Sequence, residues 1–342
     1  MIADPVRNSR ALESLISAVA TRQAIGVTGA GLSWWAGYST WQELIDRLAD
    51  AVRQRRGSEV DANAILANNA NPLYCAQQLG REMGPRSAFE DFIRGEFSPV
   101  LPRDSRVLTA FARIPFRHVL TLNFEESLER TYTAVGVRFG SMSSASDHSL
   151  LTFLRTIDEP NGDLQVVHLH GKASDPHGDI TLTEEEYAEL YRVGHLFQKL
   201  LWLLAASRTL VFFGFGFNDS DFLWSLRETA RDIRALGTCH YALVGLRPNE
   251  RDQERRTSLN NTYLIEPIFY DVGINGDGHD HDGFVAVIQR IADALEVSDA
   301  IAAAPLPAPS ELVPSADDLA VVEQLGEQFV ERVDPGGDDV PR

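Results

Sequence analysis

Four apolar runs of strand-forming residues each end in a short polar or glycine-bearing segment. No other feature constrains the fold as much. The runs are Ile25-Gly-Val-Thr-Gly-Ala-Gly-Leu-Ser33, Val119-Leu-Thr-Leu-Asn-Phe124, Val166-Val-His-Leu-His-Gly171 and Leu210-Val-Phe-Phe-Gly-Phe-Gly-Phe-Asn-Asp219. Helical periodicity separates them, and strand–helix alternation of this kind predicts an α/β fold with a parallel, doubly wound sheet. In such a sheet the carboxyl ends of the strands converge on one crevice. A glycine loop, an amide, an imidazole and an Asn/Asp turn are thereby brought to one place, suited to a nucleotide and to groups that act on it.

The rest of the chain organises around these runs. Ser9 to Gln23 reads as a helix with Leu12, Leu15, Ile16 and Val19 on one face, followed by a strand at Ala24 to Thr28. Thr40-Trp41-Gln42-Glu43 is a capping box. It opens a helix that carries Leu44, Leu48 and Val52 and ends at Gly57. Asp61 to Ile114 reads as helical, with breaks at Asn71-Pro72, Gly84-Pro85 and Pro99 to Pro102. Residues of about 41–115 are therefore expected as a helical insertion between the first two sheet strands. Further strands are expected near 118–122, 165–169, 208–213, 239–246 and 262–270, and helices over 124–134, 183–206, 218–235 and 284–296. Ser141 to Ser149 reads as a polar loop, and Asp158 to Asp163 as a turn. Residues 1–298 form the expected domain and 299–318 a Pro/Ala linker. Residues 319–342 hold a short amphipathic stretch (Leu319, Val322, Leu325, Phe329, Val333) and an acidic end expected to be disordered. The apolar stripe of that stretch suits docking on the protein's own body or on a partner.

Composition narrows the function classes. With 342 residues, 44% hydrophobic and 23% charged, the chain suits a soluble protein with a real core. The net charge is −18, of which Glu311 to Arg342 holds −7 and the remainder −11. Such an acidic body argues against direct nucleic-acid binding, which needs clustered cations. Arg53-Gln54-Arg55-Arg56 reads as the solvated end of a helix. No apolar run reaches the roughly 18 residues of a membrane span, and the first residues lack the order of a signal peptide. Cys75 and Cys239 stand at no motif spacing, so a reduced, cytoplasmic protein is expected.

Gly29 and Gly31 permit positive φ and close approach of backbone to phosphate. The dehydrogenase fingerprint fails, because Trp34 occupies its third glycine and no acid ends a second strand about 20 residues on. The Gly-Lys-Ser/Thr of a P-loop is missing too. Asn123 either caps the next helix or orients a water or a ribose hydroxyl. Glu125, Glu126 and Glu129 fall in a first helical turn, where a solvated role is the default. His168 and His170, two apart on a strand, are expected on one face. His168 reads as a core histidine and His170, beside Gly171, as a general base titrating near neutrality. Of Asn218, Asp219 and Asp221, one suits a helix cap and another a ribose hydroxyl. Asp277 to Asp282, with His279 and His281, reads as a polar turn rather than a metal site.

Taken in order, Gly29-Ala30-Gly31-Leu32-Ser33, Leu122-Asn123-Phe124, Leu169-His170-Gly171 and Gly214-Phe215-Gly216-Phe217-Asn218-Asp219 make the chain similar to the sirtuin-like domains of bacterial defence proteins. The usual motifs of that family are Gly-Ala-Gly-x-Ser, Thr-Asn-Tyr-Asp, Leu-His-Gly and Gly-Tyr-Ser-x-x-Asp-x-Asp. Trp41 and His240-Tyr241-Ala242-Leu243-Val244 also resemble it, so the likeness runs from about Ala11 to Leu295. The resemblance implies a Rossmann-like NAD-binding domain with a helical subdomain. It implies that Asn123 and His170 are catalytic, and that Gly29, Ala30, Gly31, Ser33, Gly214, Gly216, Asn218 and Asp219 line the NAD pocket. Leu122, Phe124 and Glu125 depart from the family's threonine, tyrosine and aspartate. Two lone cysteines cannot build the four-cysteine zinc module of classical deacylases, so no metal is expected. The implied activity is a gated NAD⁺ hydrolase of anti-phage defence, giving nicotinamide and ADP-ribose. Protein deacylation or ADP-ribosyl transfer, and a non-catalytic NAD-sensing subunit, are the alternatives. A homo-oligomer is expected. Because no large sensor follows Ser298, so is a partner such as a ring-forming ATPase or helicase.

Overall fold

A computed structural model describes residues 2, 4–67, 71–143, 147–157, 162–175, 180–192, 195–217, 219–248, 250–275 and 278–303. The chain divides into two units, Met1–Val297 and Ser298–Arg342, and the architecture that follows belongs to the first. Most of the expected linker, the amphipathic stretch 319–342 and most of the turn at Asp158 to Asp163 lie outside the described residues.

Seven strands build one sheet: β1 (Ala24–Thr28), β2 (His118–Thr121), β3 (Phe139–Ser143), β4 (Leu164–His168), β5 (Thr209–Phe213), β6 (His240–Leu246) and β7 (Ile265–Asp271). Their order is β3-β4-β2-β1-β5-β6-β7, and every pairing is parallel. Every residue of β1 and β2 is buried. These strands therefore read as continuous apolar runs rather than alternating ones, as a sheet covered on both faces requires.

Helices α1 (Pro5–Ala20) and α2 (Ala30–Trp35) flank β1. α1 begins with Pro5 at its first position and the Asp4 carboxylate accepting from the Arg7 amide at 2.9 Å. Then come α3 (Trp41–Arg56), α4 (Ala62–Leu66), α5 (Pro72–Glu82), α6 (Arg86–Glu96) and α7 (Ser105–Ala112). The predicted capping box of Thr40 and Glu43 is formed. α3 to α6 gather their own apolar cluster around Leu48, Leu79, Phe89 and Ile93. Beyond β2 lie α8 (Ser127–Ala134), α9 (Asp147–Thr156), α10 (Glu184–Leu190), α11 (Leu196–Ser207), α12 (Ser220–Ile233), α13 (Asp252–Tyr263) and α14 (Asp282–Ala303). α1, α7, α8 and α14 cover one face of the sheet through Leu15, Phe111, Tyr132 and Ile288. α9, α11, α12 and α13 cover the other through Phe153, Leu204, Leu226 and Leu259.

Four expectations are corrected. The stretch read as a polar loop at Ser141 to Ser149 contains the end of β3 and the start of α9. β3 is an edge strand, largely half-buried, so Phe-Gly-Ser-Met-Ser shows no apolar run. The helix read over 183–206 is two helices, with the His195 side chain accepting from the Phe197 amide to start α11. The helix read from residue 124 starts at Ser127. Near the end of the unit, β8 (Gly273–Asn275) and β9 (Gly278–Asp280) form an antiparallel pair where a polar turn was expected.

β1 leads by way of α2–α7 to β2 on one side of it, whereas β5 pairs with β1 on the other. The sheet order therefore reverses between β1 and β5, which places a crevice at their carboxyl ends.

Candidate functional site

Two loops cross at that crevice. The Gly29 amide donates to Phe213 O at 3.0 Å, and the Gly31 amide to Gly214 O at 2.8 Å. Gly29 has an extended backbone (φ −121°), and neither it nor Gly31 has positive φ. Their glycine requirement is spatial: a Cβ would lie 2.9 Å (Gly29) or 2.8 Å (Gly31) from Gly214 O. Gly214 is the conformational glycine, with φ +60° and no room for a Cβ against the Leu32 amide. The glycines thus serve the loop crossing first. Phe217, in the same loop, also takes positive φ (54°), a strained position for a bulky side chain.

Asn123 follows β2 by two residues and does not cap the next helix. Its Nδ2 donates to Gly29 O at 3.0 Å, and its main-chain amide donates to Thr121 Oγ1 at 3.1 Å. These two contacts hold the residue against the glycine loop. The N-cap position is Glu126, and the preceding Glu125 meets the first helical amide: its Oε2 accepts from Ser127 N–H at 2.7 Å while Oε1 accepts from the Ser33 hydroxyl. The solvated role expected for these acids is wrong for two of them: Glu125 is 4% exposed and Glu129 6%.

Glu129 lies against His168, which is fully buried. His168 Nε2 is 2.7 Å from Glu129 Oε1, and Nδ1 is 2.9 Å from the main-chain oxygen of Asn123. Both ring nitrogens thus face oxygen atoms that can accept a hydrogen bond. Burial pushes the Glu129 carboxyl up. The hydrogen bond and charge of His168, with the Ser141 hydroxyl, outweigh it and hold Glu129 below its ordinary range.

His168 and His170 do not share a face, because β4 ends at His168 and the chain turns. His170 points instead into α10. Its Nε2 is 2.7 Å from the Tyr191 hydroxyl, and its Nδ1 is 3.1 Å from that of Tyr187. The ring is 2% exposed. Burial drives its pKa down to about 3, opposed only by the Leu122 carbonyl. The titration near neutrality expected of a general base is therefore absent in this clasped state. Tyr187 also hydrogen-bonds Asp219, whose carboxylate caps α12 by accepting from the Phe222 amide at 2.9 Å. Burial raises Asp219 to about 6. A chain of contacts thus runs from His170 through Tyr187 to the loop after β5.

Beside this cluster, over β5–β7, a cavity of about 640 Å³ opens onto the glycine loops. Ala30, Gly31, Gly214 and Gly216 form one wall; Trp34, Arg247, Glu250, Arg255 and Tyr270 are among the others. Arg255 is paired with Glu250 at 3.3 Å. The volume lies in the range of small-molecule and cofactor sites.

The predicted residues therefore separate into two groups that meet at the loop crossing. Ala30, Gly31, Gly214 and Gly216 line the cavity; Gly29, Ser33, Asn123, His170 and Asp219 belong to the polar cluster, and Asn218 lies outside the described residues. Sequence reasoning missed Tyr187 and Tyr191, although their i, i+4 spacing behind the capping box of Thr183 and Glu186 places them on one helix face. Among the described residues no group of three or more His, Cys, Asp or Glu is placed to hold a metal ion, and no helix is long and apolar enough to cross a membrane. Neither Cys75 nor Cys239 is in a disulfide.

The seven-stranded parallel sheet and its strand-end crevice define a Rossmann-like α/β domain, and residues 117–268 match the SIR2-like domain family. Over that span the chain is similar to SIR2-like domains. It is 24% identical to the NAD(+) hydrolase ThsA of Cytobacillus dafuensis over 230 residues, which cover 67% of this chain and 42% of that protein. The ThsA of Bacillus cereus (strain MSX-D12) matches at 24% over 67% of this chain and 43% of its own. That of Enterococcus faecium matches at 25% over 59% and 40%. The chain thus spans about two fifths of the length of the curated relatives it matches.

Proposed function

We propose that this chain is an NAD⁺ hydrolase that cleaves the nicotinamide–ribose bond and releases nicotinamide and ADP-ribose. The observation that carries this reading is the Asn123 amide, tied to Gly29 O at 3.0 Å beside the buried His170, at a crevice continuous with the cavity's glycine wall. The relatives named NAD(+) hydrolase support it.

In this reading the adenosine half of the dinucleotide occupies the cavity, with Trp34 offering a face to the base and Arg247 and Arg255 offering cations to the diphosphate. The nicotinamide riboside half reaches over the crossing towards Asn123. The glycosidic C–N bond breaks with its electron pair going to the pyridinium, which leaves as neutral nicotinamide. The ribose passes through an oxocarbenium-like state, as in other glycosidic cleavages. Asn123 Oδ1 orients the attacking water, and His170 takes its proton.

An imidazole clasped by two tyrosines and held at about 3 is not a base at neutral pH. The clasp must open for turnover, and this supports a gated activity in anti-phage defence. Self-association, or a partner such as a ring-forming ATPase or helicase, is the proposed trigger that moves α10. The test is release of nicotinamide from NAD⁺ by the purified chain, alone and with its genomic neighbour. Asn123→Ala and His170→Ala are each expected to lower release about a thousandfold with the fold intact. Normal release by both variants overturns the reading.

A further inference from the structure

The pair formed by His168 and Glu129 has no part in the chemistry above, yet it is among the most enclosed polar contacts in the domain. Its nearest neighbour in the site is the main chain of Asn123, through the 2.9 Å contact of Nδ1. We propose that His168 and Glu129 are a positioning pair: His168 holds the Asn123 carbonyl, Glu129 holds His168, and together they fix the direction in which the Asn123 amide is presented to substrate. This rests on the reading of Asn123 as catalytic.

Asn123 lies two residues past β2, where the ladder no longer satisfies its carbonyl. The Nδ1–H of His168 satisfies it instead, and a fixed carbonyl fixes the plane of the 123–124 peptide. The side chain is then held at a second point by Gly29 O, and the backbone amide at a third by Thr121 Oγ1. Three restraints on one residue are what a group needs if its amide oxygen is to stand within a fraction of an ångström of a reacting water.

The alternative is that the pair merely fills space. A buried ion pair is a poor filler, because desolvation offsets most of its attraction and apolar residues of similar volume serve stability equally well. Apolar residues cannot supply a donor to the Asn123 carbonyl. The surroundings of Glu129 also favour orientation of the ring. Oε1 receives the Ser141 hydroxyl at 2.7 Å from β3, the Lys172 ammonium stands 3.9 Å away, and Lys172 is itself anchored to Glu126 at 2.5 Å. The Tyr132 hydroxyl also feels the Glu129 charge. Carboxylate, ring and carbonyl thus form one line from α8 through β4 to the site.

The test compares His168→Phe, Glu129→Leu and Glu129→Gln in the full chain. His168→Phe keeps the ring volume and removes the donor. Glu129→Leu removes the group that orients the ring. Glu129→Gln keeps a hydrogen-bonding partner for Nε2, so the neutral ring still donates from Nδ1. The expected result is a fall in kcat for nicotinamide release on the order of a hundredfold in the first two, with KM for NAD⁺ within about twofold, and near wild-type turnover in Glu129→Gln. A general structural role predicts no such split between kcat and KM and no rescue by glutamine. Folded His168→Phe turning over at the wild-type rate overturns the proposal; if that variant does not fold, Glu129→Leu at the wild-type rate does so alone. Should the wild-type chain release no nicotinamide either alone or with its genomic neighbour, the hydrolase reading fails while the pair is still tested by the resonances of Asn123. The Asn123 side-chain amide resonances, identified by their loss in Asn123→Ala, are expected to move in His168→Phe and stay in place in Glu129→Gln, and unmoved resonances in His168→Phe overturn the pair.

Discussion

The two halves of the crevice are built on opposite principles. Over β5, β6 and β7 lies an open cavity of about 640 Å³ whose walls are glycine backbone, aromatic rings and a few charges. Over β1, β2 and β4 the space is filled by polar side chains that satisfy one another: Ser33 on Glu125, Asn123 on Gly29, His168 on Glu129, His170 on two tyrosines. The first half is ready to receive a ligand as it stands. The second holds its polar groups bound to one another, and in the proposed reading it has to be opened. In the proposed reading, a dinucleotide spanning both meets affinity in one half and control in the other.

What joins the halves is the crossing at Gly214, and its loss has the largest expected effect. Gly214→Ala places a Cβ against the Leu32 amide at a backbone angle that disfavours any side chain. Positive φ and overpacking together cost about 2–4 kcal/mol. Urea denaturation is expected to show that loss, and NAD⁺ binding by calorimetry is expected to vanish with it. A variant with wild-type stability breaks the view that one crossing supports both halves.

The same contrast separates what could be read from sequence from what could not. β1, β2 and β4–β7 are legible because strands buried on both faces leave apolar runs. The convergence of Gly29, Asn123 and His170 is legible because a parallel sheet gathers its strand ends. β3 escapes because an edge strand half in water needs no apolar run. The clasp escapes because Tyr187 and Tyr191 look like ordinary residues of one long helix, and only the break before His195 and the turn at Gly171 bring them to His170. Glu129 escapes because an acid in a first helical turn defaults to solvent. Its burial depends on His168 arriving from a strand 39 positions away.

A pair of substitutions sharpens the division of labour, with smaller effects. Trp34→Ala removes a stacking face from the open half, worth about 1–3 kcal/mol per base. It is expected to raise KM for NAD⁺ by roughly tenfold to a hundredfold with kcat retained. Tyr191→Phe acts in the closed half by removing the 2.7 Å contact to His170 Nε2. Loss of one hydrogen bond of about 1 kcal/mol shifts the clasp towards its open form and is expected to raise kcat about fivefold, with KM unchanged. Steady-state kinetics on both proteins decides; if Trp34→Ala changes kcat or Tyr191→Phe changes KM, the halves are not separate.

The smallest effect lies in the pH dependence of stability, and it reads the closed half directly. Burial holds His170 at about 3 and His240 at about 4, against an ordinary 6.5. Below pH 6.5 the unfolded chain therefore binds two protons that the folded chain refuses, and stability falls as pH falls. Asp219 works the other way. Its carboxyl, raised by burial from 3.8 to about 6, takes up a proton in the folded state first, and this adds stability as pH falls through 6. Between pH 6 and 5 the balance is close to one proton, so urea midpoints are expected to report a loss of about 1.4 kcal/mol per pH unit. Asp219→Asn keeps the helix cap and removes the opposing proton, so the slope is expected to steepen to roughly 2.5 kcal/mol per unit. A flat profile in the parent protein means that the histidines are already charged when folded. His170 is then not enclosed at rest, and the contrast between a closed half and an open one collapses.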